Sequence, residues 1–169
     1  MSETETDRIV FKISNKQYQK YENWQKEVEE RIAREQLETR VSYQGNELSQ
    51  LDLDWIKENL AGGKPRPYYG AVGGAYVYEF CPTSVGLSVK VENTESGDEI
   101  NLTDYEASQE RVMFEIGRED YQNLLKWQQG IEARGDYIYR FCPTAVGLII
   151  KVKNTETGDE IDLTEYEDW

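Results

Sequence analysis

Two stretches of this chain are nearly the same sequence. Residues 76–106 and residues 137–167 align without a gap, and 22 of their 31 positions are identical. A weaker match precedes each of them, between residues 8–25 and residues 111–128, where seven of 18 positions are identical. An internal repeat limits the architecture more than any local propensity, because each copy is expected to fold as the same supersecondary unit.

The spacing of the two matches shows that the copies differ in length. The offset between matched residues is 103 in the weaker match and 61 in the stronger one, so the first copy holds 42 additional residues. We therefore predict a first copy at 1–106, with an insertion at about 37–75, and a compact second copy at 107–169. Alternatively, the two copies form one pseudo-symmetric globular unit.

The hydrophobic pattern is the same in both copies. Each copy begins with a short alternating run, such as Ile9, Phe11 and Ile13, and a polar segment with apolar residues at helical spacing follows. Period-two alternation indicates a strand, and the second pattern indicates a helix. The strongly repeated stretch reads as three short strands, because Pro82 and a glycine-containing turn interrupt its alternation. We predict an α+β fold with a tandem duplication of a β-α-β-β-β module, in which a helix packs on a small antiparallel sheet.

The insertion differs in composition from the rest of the chain. It contains one predicted helix near Ser49, followed by a stretch rich in proline and glycine at 62–74. Surface loops carry binding residues more often than the elements they connect. We predict that this stretch contacts a partner through two basic and two aromatic side chains, which are Lys64, Arg66, Tyr68 and Tyr69.

The charge of the chain is strongly acidic. It has 19 basic and 33 acidic residues, which gives a formal net charge of −14. Segments 76–106 and 137–169 carry −10 of this charge, because together they hold 14 acidic and 4 basic residues. Such a surface repels phosphate backbones and attracts basic proteins or cations, so we expect no direct nucleic-acid binding.

The acidic residues of the repeated stretches gather at the predicted hairpin turn and after the last strand. We predict that they bind a basic protein, which makes the chain a non-enzymatic interaction module with a regulatory or inhibitory role. Two alternatives are an inhibitor that imitates the phosphates of DNA or RNA, and a protein that binds Ca²⁺ through the acidic turns. A purely solubilising surface would have the same composition. The predicted partner-binding residues are Glu95, Asp98, Glu99, Asp104, Glu156, Asp159, Glu160, Asp162 and Glu165, and the Ca²⁺ candidates are Asp98, Glu99, Asp159 and Glu160.

Differences between the copies predict a further contact. The charge changes sign at two matched positions of the repeat, and a small polar residue becomes apolar at a third. Two faces of opposite charge associate more readily than two identical acidic faces. We therefore predict an inter-copy contact that includes Glu79, Glu92, Arg140, Ile149 and Lys153. Alternatively, this face of the second copy contacts the insertion.

Several kinds of chemistry are missing from the sequence. The chain has no histidine and only two cysteines, Cys81 and Cys142, so it has no Ser-His or Cys-His pair and no standard zinc site. We predict no enzymatic activity and no cofactor other than Ca²⁺. Residues 1–7 lack the basic and apolar regions of a signal peptide, and no stretch is apolar enough to cross a bilayer. We therefore expect a cytoplasmic protein that does not bind membranes.

Overall fold

The structure is a computed structural model that describes residues 8–42, 50–61, 66–70, 74–104, 110–131 and 135–164. These residues belong to two compact units. The first unit lies within Met1–Tyr21 and Val72–Trp169, and the second lies within Glu22–Ala71. The elements in chain order are β1 (Ile9–Ser14), α1 (Asn15–Ser42), α2 (Gln50–Ala61), β2 (Tyr76–Thr83), β3 (Gly86–Asn93), β4 (Glu99–Asn101), β5 (Glu110–Ile116), α3 (Arg118–Gly130), β6 (Tyr137–Pro143), β7 (Leu148–Asn154) and β8 (Glu160–Asp162).

The described elements confirm the predicted α+β class, with three helices and two antiparallel sheets. The strands are distributed differently from the one small sheet per copy that we predicted. Strands β1 and β5 pair with each other, and the remaining strands form one six-stranded sheet in the order β4-β3-β2-β6-β7-β8. A separate three-stranded sheet would leave backbone hydrogen-bonding groups unpaired at both of its edges. Pairing β2 with β6 removes two of these edges, which accounts for the single larger sheet.

The register of both sheets centres on matched residues. In the six-stranded sheet, the central pair of β2 and β6 is Glu79 opposite Arg140, which the stronger match relates. In the two-stranded sheet, the central pair is Phe11 opposite Phe114, which the weaker match relates. Because the strands of each pair are antiparallel, each sheet maps onto itself by an approximate twofold rotation.

Aromatic rings from both sheets form the centre of the core. Phe11 stacks on Phe80 with ring centroids 4.9 Å apart, and the matched pair Phe114 and Phe141 stacks at 5.1 Å. Such ring pairs contribute about 0.5–1.5 kcal/mol each beyond the area that they bury. Three tilted contacts belong to the cluster, which are Phe11–Tyr139 and Phe114–Tyr78, both at 4.9 Å, and Phe114–Phe80 at 5.6 Å. Two edge contacts complete it, Phe11–Phe141 at 5.7 Å and Phe80–Phe141 at 5.8 Å.

The beginning of α1 is tied to the six-stranded sheet. The Ser14 hydroxyl accepts a hydrogen bond from the Gln17 amide N–H at 3.1 Å, and the Gln17 side-chain oxygen accepts one from the Ser14 amide at 2.8 Å. This reciprocal pair is a capping box, which fixes the helix start at Asn15. The Gln17 side-chain amide also donates to the Leu102 carbonyl, just after β4, at 2.7 Å.

Helix α3 occupies the equivalent place in the second copy. Its Leu124 is fully buried, and Trp127 lies 5.9 Å from Tyr137 at the start of β6. Within the described residues, none of the helices is long and apolar enough to cross a membrane.

The second unit contains residues 22–42 of α1, helix α2 and the segment 66–70. The Arg40 guanidinium lies over the Trp55 ring at 4.4 Å and near the Tyr68 ring at 5.5 Å, which is a cation–π arrangement. The Gln36 side chain donates to the Tyr68 carbonyl at 3.0 Å and accepts from the Tyr68 amide at 2.8 Å. These contacts hold the segment 66–70 against α1.

Candidate functional site

Buried asparagines shape the two acidic turns, which are residues 94–98 and 155–159. The Asn93 side-chain oxygen accepts hydrogen bonds from the Glu95 and Ser96 amides, both at 3.0 Å. Asn154 does the same in the second copy, and both asparagine side chains are fully buried. Gly97 in the first turn has a φ of 72°, a conformation that side chains disfavour. The repeated asparagine and glycine therefore both serve the geometry of the turn.

Most of the acidic residues in the two turns and directly after them are exposed. Glu99 pairs with Lys90 at 2.8 Å, and Glu160 pairs with Lys151 at 3.1 Å. Glu95, Glu156 and Asp159 are exposed and form no ion pair with a residue that the structure describes. Their negative charge is thus available to an outside group, whereas that of Glu99 and Glu160 is partly neutralised within the chain.

The remaining acids of the predicted set lie elsewhere. Asp104 pairs with Lys16 at 2.9 Å and keeps only 16% of its side chain exposed, so it fastens α1 to the residues after β4. The Asp162 carboxylate accepts a hydrogen bond from the Thr164 amide at 2.9 Å, which ends β8. Glu165 lies outside the described residues.

The predicted Ca²⁺ candidates fall into two separate groups. Asp98 ends one acidic turn and Glu99 begins β4 directly after it, and Asp159 and Glu160 have the same places at the other turn and at β8. Ca²⁺ takes six to eight oxygen ligands. In the part of the chain that the structure describes, no group of three or more Cys, Asp or Glu side chains could hold a metal ion.

The hairpin tips between β2 and β3 and between β6 and β7 expose a valine each. The Thr83 hydroxyl donates to the Gly86 carbonyl at 2.6 Å and accepts from the Val85 amide at 3.4 Å. Thr144 makes the same two contacts around Val146. The exposed fraction is 74% for Val85 and 47% for Val146. We did not predict this feature, although the presence of valine at the same place in both turns was a signal for it.

Each end of the six-stranded sheet combines one acidic turn with one valine tip. Strands β2 and β6 are antiparallel, with Glu79 opposite Arg140. The start of β2 at Tyr76 therefore lies at the same end of the sheet as the end of β6 at Pro143. The turn 94–98 adjoins Tyr76, and Val146 follows Pro143. We call this the Val146 end, and the opposite one, with turn 155–159 and Val85, is the Val85 end.

Ion pairs on the outer face of the sheet, opposite the aromatic core, join the two copies. The Arg140 Nε atom lies 2.7 Å from a Glu79 carboxylate oxygen, and another of its nitrogens lies 3.5 Å from Glu92. The Nε–H does not point at that oxygen, so the contact is an ion pair and not a directed hydrogen bond. Lys90 approaches Glu79 from the other side at 3.3 Å.

The other two residues of the predicted inter-copy contact lie apart from this cluster. Ile149 is half-buried on β7, opposite Cys142. Lys153 is exposed on the same strand, opposite Glu160, and has no ion pair with a described residue. The structure therefore brings together Glu79, Glu92 and Arg140, and it leaves Ile149 and Lys153 outside their cluster.

The two cysteines are free and half-buried. Burial raises the pKa of both thiols, and the nearby carboxylates of Asp136 and Glu79 raise the pKa of Cys81 further. The Cys142 thiol donates to the Gly74 carbonyl at 3.1 Å. A catalytic cysteine requires a lowered pKa, and this environment favours the opposite.

In the second unit, the predicted contact residues Arg66, Tyr68 and Tyr69 are described, and Lys64 lies outside the described residues. Arg66 is exposed, and its backbone amide donates to the Asn59 side chain. Tyr68 keeps 44% of its surface exposed beside Arg40. Part of this aromatic ring is therefore open to a partner.

Comparisons of the chain with protein-family models, with curated proteins and with solved structures found no match.

Proposed function

We propose that the chain is a non-enzymatic protein-interaction module that binds a basic partner in the cytoplasm through its two acidic turns. The observation that carries this proposal is the exposure of Glu95, Glu156 and Asp159 without ion pairs among the described residues. Surface charges that no neighbour neutralises accelerate association with a partner of opposite charge. Buried Asn93 and Asn154 support the proposal, because they hold the turns in one conformation.

The rest of the repeated motif supports a structural and not a catalytic reading. Its threonine, asparagine and glycine residues are engaged in backbone contacts of the turns, and its cysteines have raised pKa values. The two free cysteines also fit the reducing compartment that belongs to this proposal.

We also infer that the fold arose by tandem duplication of the β-α-β-β-β module. The matched central pairs Glu79–Arg140 and Phe11–Phe114 support this origin, as do the matched ring distances around them. In this view the present chain corresponds to a fused dimer, because a twofold axis relating identical surfaces is typical of homodimers.

A peptide-binding experiment with matched variants tests the proposed function. An array of lysine- and arginine-rich peptides is screened with the full chain at low ionic strength, and the Kd of each hit is measured at low and at 0.5 M salt, where exposed charges are strongly screened. The variant E95Q/E156Q/D159N removes the three turn carboxylates, and the control E22Q/E27Q/E58Q removes three exposed carboxylates from the helices.

We expect the turn variant to lose at least tenfold in affinity, which corresponds to about 1.4 kcal/mol. The helix variant should change by less than twofold. Equal losses in both variants would mean that the net charge alone attracts the peptides. A screen without any hit at low salt would reject the proposal.

A further inference from the structure

The exposed apolar residues of the first unit occupy matched positions. Among its described residues, the exposed large hydrophobic side chains are Val85 and Val146, which the repeat relates by its offset of 61. Isolated apolar residues on a surface are common. Here, however, the two exposed valines lie at equivalent tips of two hairpins, and the same threonine hydroxyl contact closes each tip. Their exposure is therefore a repeated feature of the fold.

Each valine tip lies at the same end of the sheet as the acidic turn of the other copy. At the Val146 end, the tip and the turn 94–98 are separated by about three strand spacings, or roughly 14 Å. Residues 74 and 75 connect them. The Ala75 carbonyl accepts from the Thr94 amide at 2.8 Å, and a side chain at Gly74 would meet the Thr144 methyl group at 3.0 Å.

The Val85 end repeats part of this arrangement. The Asp136 carbonyl accepts from the Thr155 amide at 2.9 Å, in the turn 155–159. A side chain at Gly135 would lie 2.7 Å from the Glu156 Cβ atom, so only glycine fits there. Both ends therefore present an acidic turn and an apolar tip at the same edge of the sheet.

We propose that each end of the sheet docks one copy of a segment that carries basic residues next to an apolar one. The partner that fits is consequently a homodimeric basic protein that presents this segment twice. This inference rests on the proposed function and adds the stoichiometry and the symmetry of the partner. Lysine or arginine pairs with the turn carboxylates, and the apolar residue covers the valine, because removing apolar surface from water is favourable.

The approximate twofold axis dictates the geometry of the partner. The two ends lie at opposite ends of β2 and β6, so the valine tips are separated by a distance on the order of 30 Å, given the rise of about 3.3 Å per strand residue. The two segments run in opposite directions, since the axis lies perpendicular to antiparallel strands. A partner that matches this spacing gains avidity, because its second binding event is intramolecular.

Stoichiometry measured on the full chain tests this inference. The probe is a synthetic peptide with four lysines and one central leucine, together with a version in which a flexible linker long enough to span the sheet joins two such peptides. Titration calorimetry and native mass spectrometry give the number of peptides bound to the wild type, V85S, V146S and the double variant V85S/V146S. The control is Leu53→Ser, which removes from the second unit an apolar side chain with the same exposed fraction as Val146, 47%.

We expect two peptides per wild-type chain, one per single variant and none per double variant in the same concentration range. The joined peptide should bind at least tenfold tighter than the single peptide to the wild type, and this gain should vanish in either single variant. Circular dichroism checks that the variants fold, which is expected because both valines are exposed.

The outcomes separate this inference from the proposed function. One peptide per wild-type chain, still sensitive to the turn carboxylates, would overturn the twofold binding and leave the interaction function standing. Two peptides whose binding ignores both valine substitutions would overturn the role of the tips. Self-association of the free chain that disappears in V85S/V146S would show that the tips serve a second copy of this chain instead. No binding of either peptide would reject both proposals.

Discussion

The two halves of the six-stranded sheet, residues 76–104 and 137–164, are alike at their turns and unlike at the place where they meet. The turn asparagines Asn93 and Asn154 are identical and equally buried. At the centre, however, Glu79 of one half lies opposite Arg140 of the other. Two identical halves would place two like charges opposite each other, which destabilises a pair of antiparallel strands. Both halves therefore close their turns in the same way, whereas their junction at the axis pairs opposite charges.

The largest loss of stability is expected from substitutions in the core, where the two halves should be equivalent. Phe80→Ala and Phe141→Ala each remove a fully buried ring with matched contacts. Each variant should lose about 3–5 kcal/mol of unfolding free energy, because a large-to-small change in a core leaves a cavity. Urea unfolding followed by circular dichroism measures both losses. A difference between them of more than about 2 kcal/mol would show that the halves are not equivalent in the core.

A smaller effect is expected at the axis, where the halves differ. Arg140→Glu restores the residue of the first half and places a third carboxylate beside Glu79 and Glu92. The side chain of Glu79 is only 13% exposed, so we expect a loss of about 2 kcal/mol, which is more than Arg140→Gln should cause. Urea unfolding at low salt measures the losses.

The charge also differs in sign between the matched residues Glu92 and Lys153. The effect of substituting Glu92 on stability should depend on which residue is at position 140. Adding Glu92→Lys to the Arg140→Glu variant gives the new carboxylate a cationic partner, so about half of the lost stability should return. The single variant Glu92→Lys serves as the control, and it should destabilise the chain because it removes a partner of Arg140. Simple additivity of the two substitutions would contradict the coupling.

The sequence predicted the order of strands and turns in each half, because alternation and glycine-containing turns are local signals. The expected interruption at Pro82 was wrong, because β2 continues through Pro82 to Thr83. It also predicted that Glu79, Glu92 and Arg140 belong together, because a coordinated change of sign is visible in an alignment of the copies. The pairing of β1 with β5 and of β2 with β6 was not predictable. These pairings join residues about 60 or 100 positions apart, and periodicity contains no information on the partner of an edge strand.

The exposure of the valine tips was not predictable from alternation. Val85 continues the period-two apolar pattern of β3, which predicts an inward-facing side chain, and this prediction is wrong because Val85 lies in the turn before the strand begins. Its exposure depends on how the threonine hydroxyl closes that turn. Lys153 illustrates the opposite case. Its change of sign suggested an inter-copy contact, but its position on β7 places it opposite Glu160 of its own half.

The smallest effect concerns the thiols, which occupy matched positions in unlike surroundings. Burial raises the pKa of both, but carboxylates also raise the pKa of Cys81, with Asp136 the stronger of the two. A raised pKa means less reactive thiolate at any given pH, so iodoacetamide at pH 8 should modify both cysteines more slowly than a free cysteine.

Asp136→Asn removes one negative charge near Cys81 and keeps the backbone carbonyl that Thr155 uses. The modification rate of Cys81 should then rise about twofold, and that of Cys142 should stay the same. Peptide mass spectrometry after timed quenching measures both rates in one sample. An equal rise at both cysteines would indicate a general loosening of the sheet, whereas a rise at Cys81 alone would show that its distinct reactivity comes from a local charge and not from a weaker half.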